Sequence, residues 1–206
     1  YDYPKEGFEV PTWRKPPERK GYSGEVTAGA AKRIRQTVDI FLQRSEPRFI
    51  HNPVTNKKQK FQLSFITLTI AHPEPIRAKE GHEALKIWLQ HFKRPWHKRK
   101  LSEPIKSYIW KAELQENRQL HYHLTTNSFL HFAEIRRVWN DLQKNRGWLE
   151  SFKARYGHYD PNSTDVHSVY KVKEIQRYLS KYLSKQQFIE TSGHEGFPML
   201  QVPRNI

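Results

Sequence analysis

The stretch QLHYHLTT, residues 119–126, alternates between apolar and polar side chains in the way of a half-buried β-strand. Side chains two residues apart on a strand share one face, so His121 and His123 lie on the same side, beside Thr125. The opposite side collects apolar side chains: Leu120, Tyr122 and Leu124. The stretch therefore predicts a strand with one face in a core and one face that carries two imidazoles.

The preceding stretch IKSYIWKAEL, residues 105–114, alternates in the same way and predicts the first strand of a hairpin. A loop of three residues, 116–118, would pair Glu113 with His121 and place both apolar faces on one side. A loop of two residues would instead bury Glu113 beside Leu120, which is energetically costly. Burial alone therefore predicts that Glu113 shares a face with the two histidines.

Two imidazoles and a carboxylate on one face can bind a divalent metal ion and leave positions open for water or a phosphate oxygen. Such a set suits Mn²⁺ or Mg²⁺ under cellular availability, and Zn²⁺, Co²⁺ or Ni²⁺ by affinity. A half-exposed surface pair of histidines, or a structural metal site that only pins the hairpin, would explain the same pattern. The other histidines show no ligand spacing, and we expect them to be structural or exposed.

Periodicity along the chain predicts the order β-α-β-β-α-β from residue 60 onward. The predicted elements are helix 26–44, strand 48–52, one long strand 60–70, helix 81–92, strands 105–114 and 119–126, helix 131–144, strand 164–169 and helix 172–185. A linker containing GHYDPNS precedes the last strand. This order predicts an α+β fold of the ferredoxin or RNA-recognition type, an antiparallel sheet with its first and third strands central and helices on one face.

The chain of 206 residues suits one domain with an appendage. We expect a basic N-terminal arm and helix over 1–47, a folded domain over 48–186 and a tail over 187–206, and the initial tyrosine suggests a fragment or a processed product. A formal net charge of +15 favours a polyanionic partner such as nucleic acid. The absence of cysteine excludes disulfides and thiolate metal sites. No apolar run reaches the roughly 20 residues that span a bilayer, so we expect no membrane partner.

A second informative stretch is YLSKYLSK, residues 178–185. Tyr178 and Tyr182 are four residues apart and share one face of the predicted helix, and Lys181 and Lys185 repeat the same spacing. A phenol has a pKa of about 10, so a phenolate attacks phosphorus, and leaves it, more easily than an alkoxide. A phosphotyrosine would conserve the energy of a broken phosphodiester for later rejoining. The alternative is a plain amphipathic helix with the tyrosines at its boundary.

Three stretches together resemble the HUH endonucleases: FITLTI at 65–70, LHYHLTT at 120–126 and YLSKYLSK at 178–185. The sequence is most similar to two-tyrosine rolling-circle replication initiators of small single-stranded-DNA phages, of the microvirus type, and of plasmids. The resemblance implies a tyrosine-bearing helix over the metal site. The residue roles that it implies are metal ligands His121, His123 and Glu113, nucleophiles Tyr178 and Tyr182, and assisting lysines Lys181 and Lys185.

The activity implied by the resemblance is metal-dependent nicking and joining of single-stranded DNA, at an origin or a hairpin, through a 5′-phosphotyrosine. It would initiate rolling-circle replication in the cytoplasm of a bacterial host. The sequence has no P-loop signature, so we expect a separate helicase and polymerase. Two alternatives stay open: a transposase or relaxase with the same chemistry, and a non-catalytic single-strand-binding module whose tyrosines only stack on bases.

Basic residues surround a tryptophan in KRPWHKRK, residues 93–100, a composition that suits backbone contacts plus one stacked base. The N-terminal arm carries a similar basic segment. The candidate DNA contacts are Lys93, Arg94, Trp96, Lys98, Arg99 and Lys100, with Arg14 and Lys15 in the arm. A solvated charged loop is the alternative interpretation.

Overall fold

The structure, a computed structural model, describes residues 28–52, 55–94, 101–115 and 119–169. Its elements are α1 (Ala28–Gln43), β1 (Arg48–Asn52), β2 (Lys57–Phe61), β3 (Leu63–Thr69), α2 (Ala78–Lys93), β4 (Tyr108–Leu114), β5 (Leu120–Thr126), α3 (Phe132–Asn145), α4 (Glu150–Tyr156) and β6 (Thr164–Val169). An antiparallel sheet has the order β4-β5-β3-β6, and β1 pairs with β2 separately. The predicted α+β fold is confirmed, with β3 and β5, the first and third strands of the predicted order, at the centre.

Helices α2 and α3 pack through their apolar stripes into the same core as one face of this sheet. The buried helix residues include Trp88, Leu89 and Phe92 on α2 and Ile135, Val138 and Trp139 on α3. They form one cluster with the alternate strand residues Ile66, Leu68, Trp110, Leu120, Tyr122 and Leu124. Each fully buried side chain of this size contributes roughly 1.5–3 kcal/mol. The predicted placement of both helices on the Tyr122 face is therefore confirmed.

The prediction of one long strand over 60–70 is wrong, because the chain changes sheets at Gln62. Strand β2 pairs with β1, so Arg48 lies opposite Phe61, whereas β3 pairs with β5 and β6. Gln62 is 2% exposed, and its side-chain Nε2 donates a hydrogen bond to the Ser45 carbonyl oxygen over 2.8 Å. The break therefore depends on a contact 17 residues away along the chain.

Two further bounds differ from the predicted ones. Strand β4 begins at Tyr108 rather than at 105, since the Ile105 amide donates to the Phe92 carbonyl oxygen and ties this segment to the end of α2. Helix α4 lies in the stretch predicted as a linker, and it has no buried residue that would mark an apolar stripe. The predicted helix 172–185 lies outside the described residues. Within the described ranges, none of the helices has the length and apolar character needed to cross a bilayer.

Candidate metal centre

The register of the β4–β5 hairpin places the three predicted ligands on one face. Glu113 lies directly opposite His121, as burial predicted, and Lys111 lies opposite His123. On the other side of β5, β3 places Thr67 opposite His123. Because side chains alternate along each strand, Glu113, His121 and His123 all lie on the side away from Tyr122.

Tyr122 anchors the histidine strand from the opposite face. Its side chain is 0% exposed, and its ring lies 6.0 Å from that of Trp110 and 5.6 Å from that of His82, between centroids. Burial raises the pKa of the Tyr122 phenol, which opposes phenolate formation. Tyr122 is therefore a core residue that holds its two neighbours outward, as the sequence predicted.

The Glu113 carboxylate is held by both of its oxygens. The Lys111 Nζ donates to Oε1 over 2.5 Å, and the His123 Nε2 lies 3.1 Å from Oε2. Burial raises the pKa of Glu113, but hydrogen bonds and charge from Lys111 and His123 outweigh burial and lower the pKa overall. The carboxylate is therefore ionised at neutral pH. The sequence placed Lys111 on this face but did not predict its contact with Glu113.

His123 is fixed on three sides. Its Nδ1 lies 3.2 Å from the Thr67 Oγ1, and its ring stacks on Phe65 with 5.8 Å between centroids and 17° between planes. Burial lowers the pKa of His123, so the neutral imidazole is favoured. Two ligands about 2.1 Å from one ion and at right angles to it lie about 3 Å apart. The 3.1 Å between His123 Nε2 and Glu113 Oε2 is therefore a spacing that neighbouring ligands adopt.

His121 carries the polar atom without a partner on this face. Its Nε2 is buried and makes no hydrogen bond among the described residues. Burial, and then the nearby His123, lower the pKa of His121 to about 4, so its imidazole is neutral at neutral pH. A buried polar atom without a hydrogen bond costs free energy. A metal ion bound to this nitrogen would remove that cost.

The donor types fit a divalent ion, but the three side chains do not yet surround one point. The rings of His121 and His123 are 6.4 Å apart between centroids and tilted by 53°. Across the part of the chain that the structure describes, no three His, Asp or Glu side chains are grouped closely enough to hold one ion. Two of the predicted ligands are already adjacent, and the His121 ring would have to turn to complete the set.

The remaining predicted site residues divide between the described and the undescribed parts of the chain. Lys93 donates to the Tyr108 hydroxyl over 3.0 Å and lies over its ring, so its position has a structural explanation. Arg94 directly follows α2 and is exposed. The residues outside the described ranges are Arg14, Lys15, Trp96, Lys98, Arg99, Lys100, Tyr178, Lys181, Tyr182 and Lys185. Their predicted roles stay predictions.

Two of the other histidines have structural partners. The His131 Nδ1 accepts a hydrogen bond from the Ala133 amide at the start of α3. His82 lies on the core side, where its Nδ1 is 2.6 Å from the Ala78 carbonyl oxygen. Both agree with the prediction that histidines outside the 121–123 pair are structural or exposed.

Comparison with protein families gave a match over most of the sheet-forming part of the chain. A family model described as the replication-associated protein ORF2 matches residues 63–187, more than half of the chain. The matched segment begins at the first residue of β3 and contains the four-stranded sheet, the three predicted ligands and the YLSKYLSK stretch. Comparisons with curated proteins and with solved structures gave no significant match.

Proposed function

Because the chain belongs to the replication-associated protein ORF2 family, we propose that it is a metal-dependent single-stranded-DNA endonuclease and strand transferase that initiates rolling-circle replication. Membership of the family supports a role in replication initiation. The observation that carries the proposed chemistry is the placement of Glu113, His121 and His123 on one sheet face, with the His121 Nε2 buried and without a hydrogen bond among the described residues.

Glu113, His121 and His123 would hold the divalent ion. When bound, the ion supplies positive charge that polarises the phosphate to be cut. Lys111 keeps the Glu113 carboxylate ionised and orients its second oxygen toward His123. Thr67 holds the opposite nitrogen of His123, a contact of the kind that orients metal-binding imidazoles. The lowered pKa values of both histidines keep their nitrogen lone pairs free at neutral pH.

The nucleophile would be the phenolate oxygen of Tyr178 or Tyr182. This oxygen attacks phosphorus, and a new bond from oxygen to phosphorus forms while the bond from phosphorus to the 3′ oxygen breaks. The 5′-phosphate stays on the tyrosine, the 3′ oxygen takes a proton, and the phenol proton goes to solvent. Attack by a 3′-hydroxyl on the phosphotyrosine reverses the step and rejoins a strand. Lys181 and Lys185 would offset negative charge during both steps.

The direct test is a covalent adduct. The protein is incubated with labelled single-stranded origin and hairpin DNAs and Mn²⁺, and a protein–DNA species that survives denaturation is sought. We expect Tyr178→Phe combined with Tyr182→Phe to abolish it. Tyr156→Phe is the matched control, because Tyr156 is an exposed tyrosine on α4, and we expect it to retain the adduct.

The metal assignment has its own control. We expect His121→Ala combined with His123→Ala to reduce cleavage by roughly 100-fold or more. His51→Ala removes an exposed imidazole on β1 and should leave cleavage unchanged. If no adduct forms on any DNA, with or without metal, the nuclease proposal is wrong. Binding of single strands without an adduct would instead favour the non-catalytic module.

A further inference from the structure

A polar cleft of about 320 Å³ lies at the end of the β4–β5 hairpin that is remote from Glu113 and His121. Its walls come from the end of α1, the start of β1, the segment before β4 and the end of β5. The side chains that the argument uses are Arg44, Glu46, Arg48, Glu103, Lys106 and Asn127. The volume is within the range of small-molecule sites, roughly 300–1,000 Å³.

One wall of the cleft is a charge pair that neutralises itself. Arg48 holds Glu103 with both guanidinium nitrogens: Nη1 lies 2.8 Å from Oε1, and Nη2 contacts Oε2. The Phe129 amide also donates to Glu103 Oε2 over 2.8 Å. Arg48 Nη2 reaches the Asn127 carbonyl oxygen over 3.3 Å. This wall is therefore rigid and carries no net charge.

Three polar groups in the cleft have no partner of this kind. The Arg44 guanidinium and the Lys106 ammonium are exposed and make no side-chain hydrogen bond or ion pair among the described residues. The Asn127 Oδ1 is buried and accepts no hydrogen bond from the described part of the chain. Among the described residues that line the cleft, Glu46 is the one carboxylate outside the charge pair, so one positive charge remains in excess.

We propose that this cleft binds one nucleotide of single-stranded DNA. Arg44 and Lys106 contact the phosphate, and the Asn127 Oδ1 accepts a hydrogen bond from an N–H of the base. The proposal rests on the proposed function, which supplies the single strand. Arg44 precedes residue 63, where the family match begins, so the cleft combines the matched segment with the part of the chain before it.

The distance to the candidate metal centre suits a shared strand. Asn127 follows His123 by four residues, which is about 13 Å along an extended strand. That length corresponds to about four nucleotides at the rise of 3.4 Å per stacked base. One strand can therefore lie with one nucleotide in the cleft and a phosphate a few nucleotides away at His123.

The phosphate contact is tested by the affinity for a short labelled oligodeoxycytidine, measured by fluorescence anisotropy in EDTA so that cleavage does not interfere. We expect Arg44→Gln and Lys106→Gln each to weaken binding roughly three- to ten-fold at low salt and to reduce the salt slope by about 0.7. Lys86→Gln is the matched control, because Lys86 is an exposed lysine on α2, which packs on the other side of the sheet. We expect it to bind like the wild type.

The base contact is tested with a strand of the same length that has abasic sites throughout. Asn127→Leu keeps a side chain of similar size but removes the acceptor, so it should weaken binding of oligodeoxycytidine and leave binding of the abasic strand unchanged. Competition with deoxycytidine monophosphate separates a DNA site from a free-nucleotide site. Tighter binding of the mononucleotide than of the strand would overturn the assignment to DNA.

The outcomes separate this proposal from the proposed function. If the wild type binds oligodeoxycytidine and the Arg44, Lys106 and Asn127 variants match it in affinity and salt slope, the cleft proposal is wrong and the nuclease proposal is untouched. If the wild type binds no single strand at all, both proposals fail. Arg44 and Lys106 are exposed, so their variants report on binding even if Asn127→Leu does not fold.

Discussion

Lys111 and Glu113 lie two residues apart on β4, and their side chains are only 11% and 17% exposed. Removal of one partner of a fully buried ion pair costs about 3–5 kcal/mol, and the remaining exposure reduces this to about 1–3 kcal/mol here. We therefore expect Lys111→Met to lower the free energy of unfolding by about 1–3 kcal/mol. Urea unfolding in EDTA measures the change.

The double variant Lys111→Met with Glu113→Gln is the control for this pair. It removes both charges, so it should be more stable than Lys111→Met alone. Lys57→Met replaces an exposed lysine on β2 and should change stability little. A Lys111→Met protein as stable as the wild type would contradict the role given to this contact.

Glu103 predicts a loss of stability at low pH. Burial raises the pKa of Glu103, but the hydrogen bonds from Arg48 and the Phe129 amide, together with the charges of Arg48 and Lys106, outweigh burial and lower the pKa below its ordinary 4.5. A lowered pKa in the folded state gives a stabilisation that is complete above the unfolded value and is lost as the pH falls through the folded value.

The matching measurement is urea unfolding of the wild type and of Glu103→Gln between neutral pH and the acid limit of folding. The difference in free energy of unfolding should be constant above pH 4.5 and shrink below it. Glu83→Gln, which replaces an exposed carboxylate on α2, controls for the loss of a surface charge. A difference that grows as the pH falls would contradict the prediction.

At the scale of elements, the contact of α2 with β5 depends on Gly81. A Cβ at this position would lie 2.5 Å from the Tyr122 hydroxyl and 2.9 Å from a Leu120 methyl carbon. The gain in helix propensity of Gly81→Ala is about 1 kcal/mol, whereas overpacking costs typically about 1–3 kcal/mol. We expect a net destabilisation of about 1–2 kcal/mol by thermal or urea unfolding.

Gly29→Ala is the matched substitution on α1. The nearest atom to a Cβ there is the end of the Arg33 side chain, 3.9 Å away, so nothing has to move. We expect this variant to be as stable as the wild type or more stable, by up to about 1 kcal/mol. Equal effects of the two substitutions would show that packing against Tyr122 does not limit the position of α2.

The sequence predicted the hairpin register because burial allows only one parity: Glu113 must face His121 if Leu120 and Tyr122 are to be covered. It did not predict the break at Gln62, since the partner is a backbone carbonyl of Ser45 that only the folded chain brings close. Helix α4 was missed because it buries no side chain and so shows no periodic pattern. In the site, alternation placed Lys111 on the correct face, but it could not show that the lysine turns inward to Glu113.

For the whole molecule, a bound metal ion should appear as added stability. A ligand that binds only the folded state at 100 times its Kd stabilises that state by about 2.7 kcal/mol. We therefore expect Mn²⁺ to raise the unfolding midpoint of the wild type and EDTA to reverse the shift. Thermal unfolding followed by circular dichroism measures it without any DNA.

The controls are the histidine variants. His121→Ala with His123→Ala should lose the shift, and His51→Ala, on β1, should keep it. An equal shift in all three proteins would place the metal somewhere other than the hairpin face.

The ligands Glu113, His121 and His123 all come from one hairpin, whereas β3 and β6, which complete the sheet, are about a hundred residues apart in the chain. Contacts between close neighbours in sequence form early, hairpins within about 1–10 μs, and pairings of distant segments form later. The arrangement of the three ligands can therefore arise before the rest of the sheet is assembled. As a local unit, it can also be inherited intact while distant parts of the chain change.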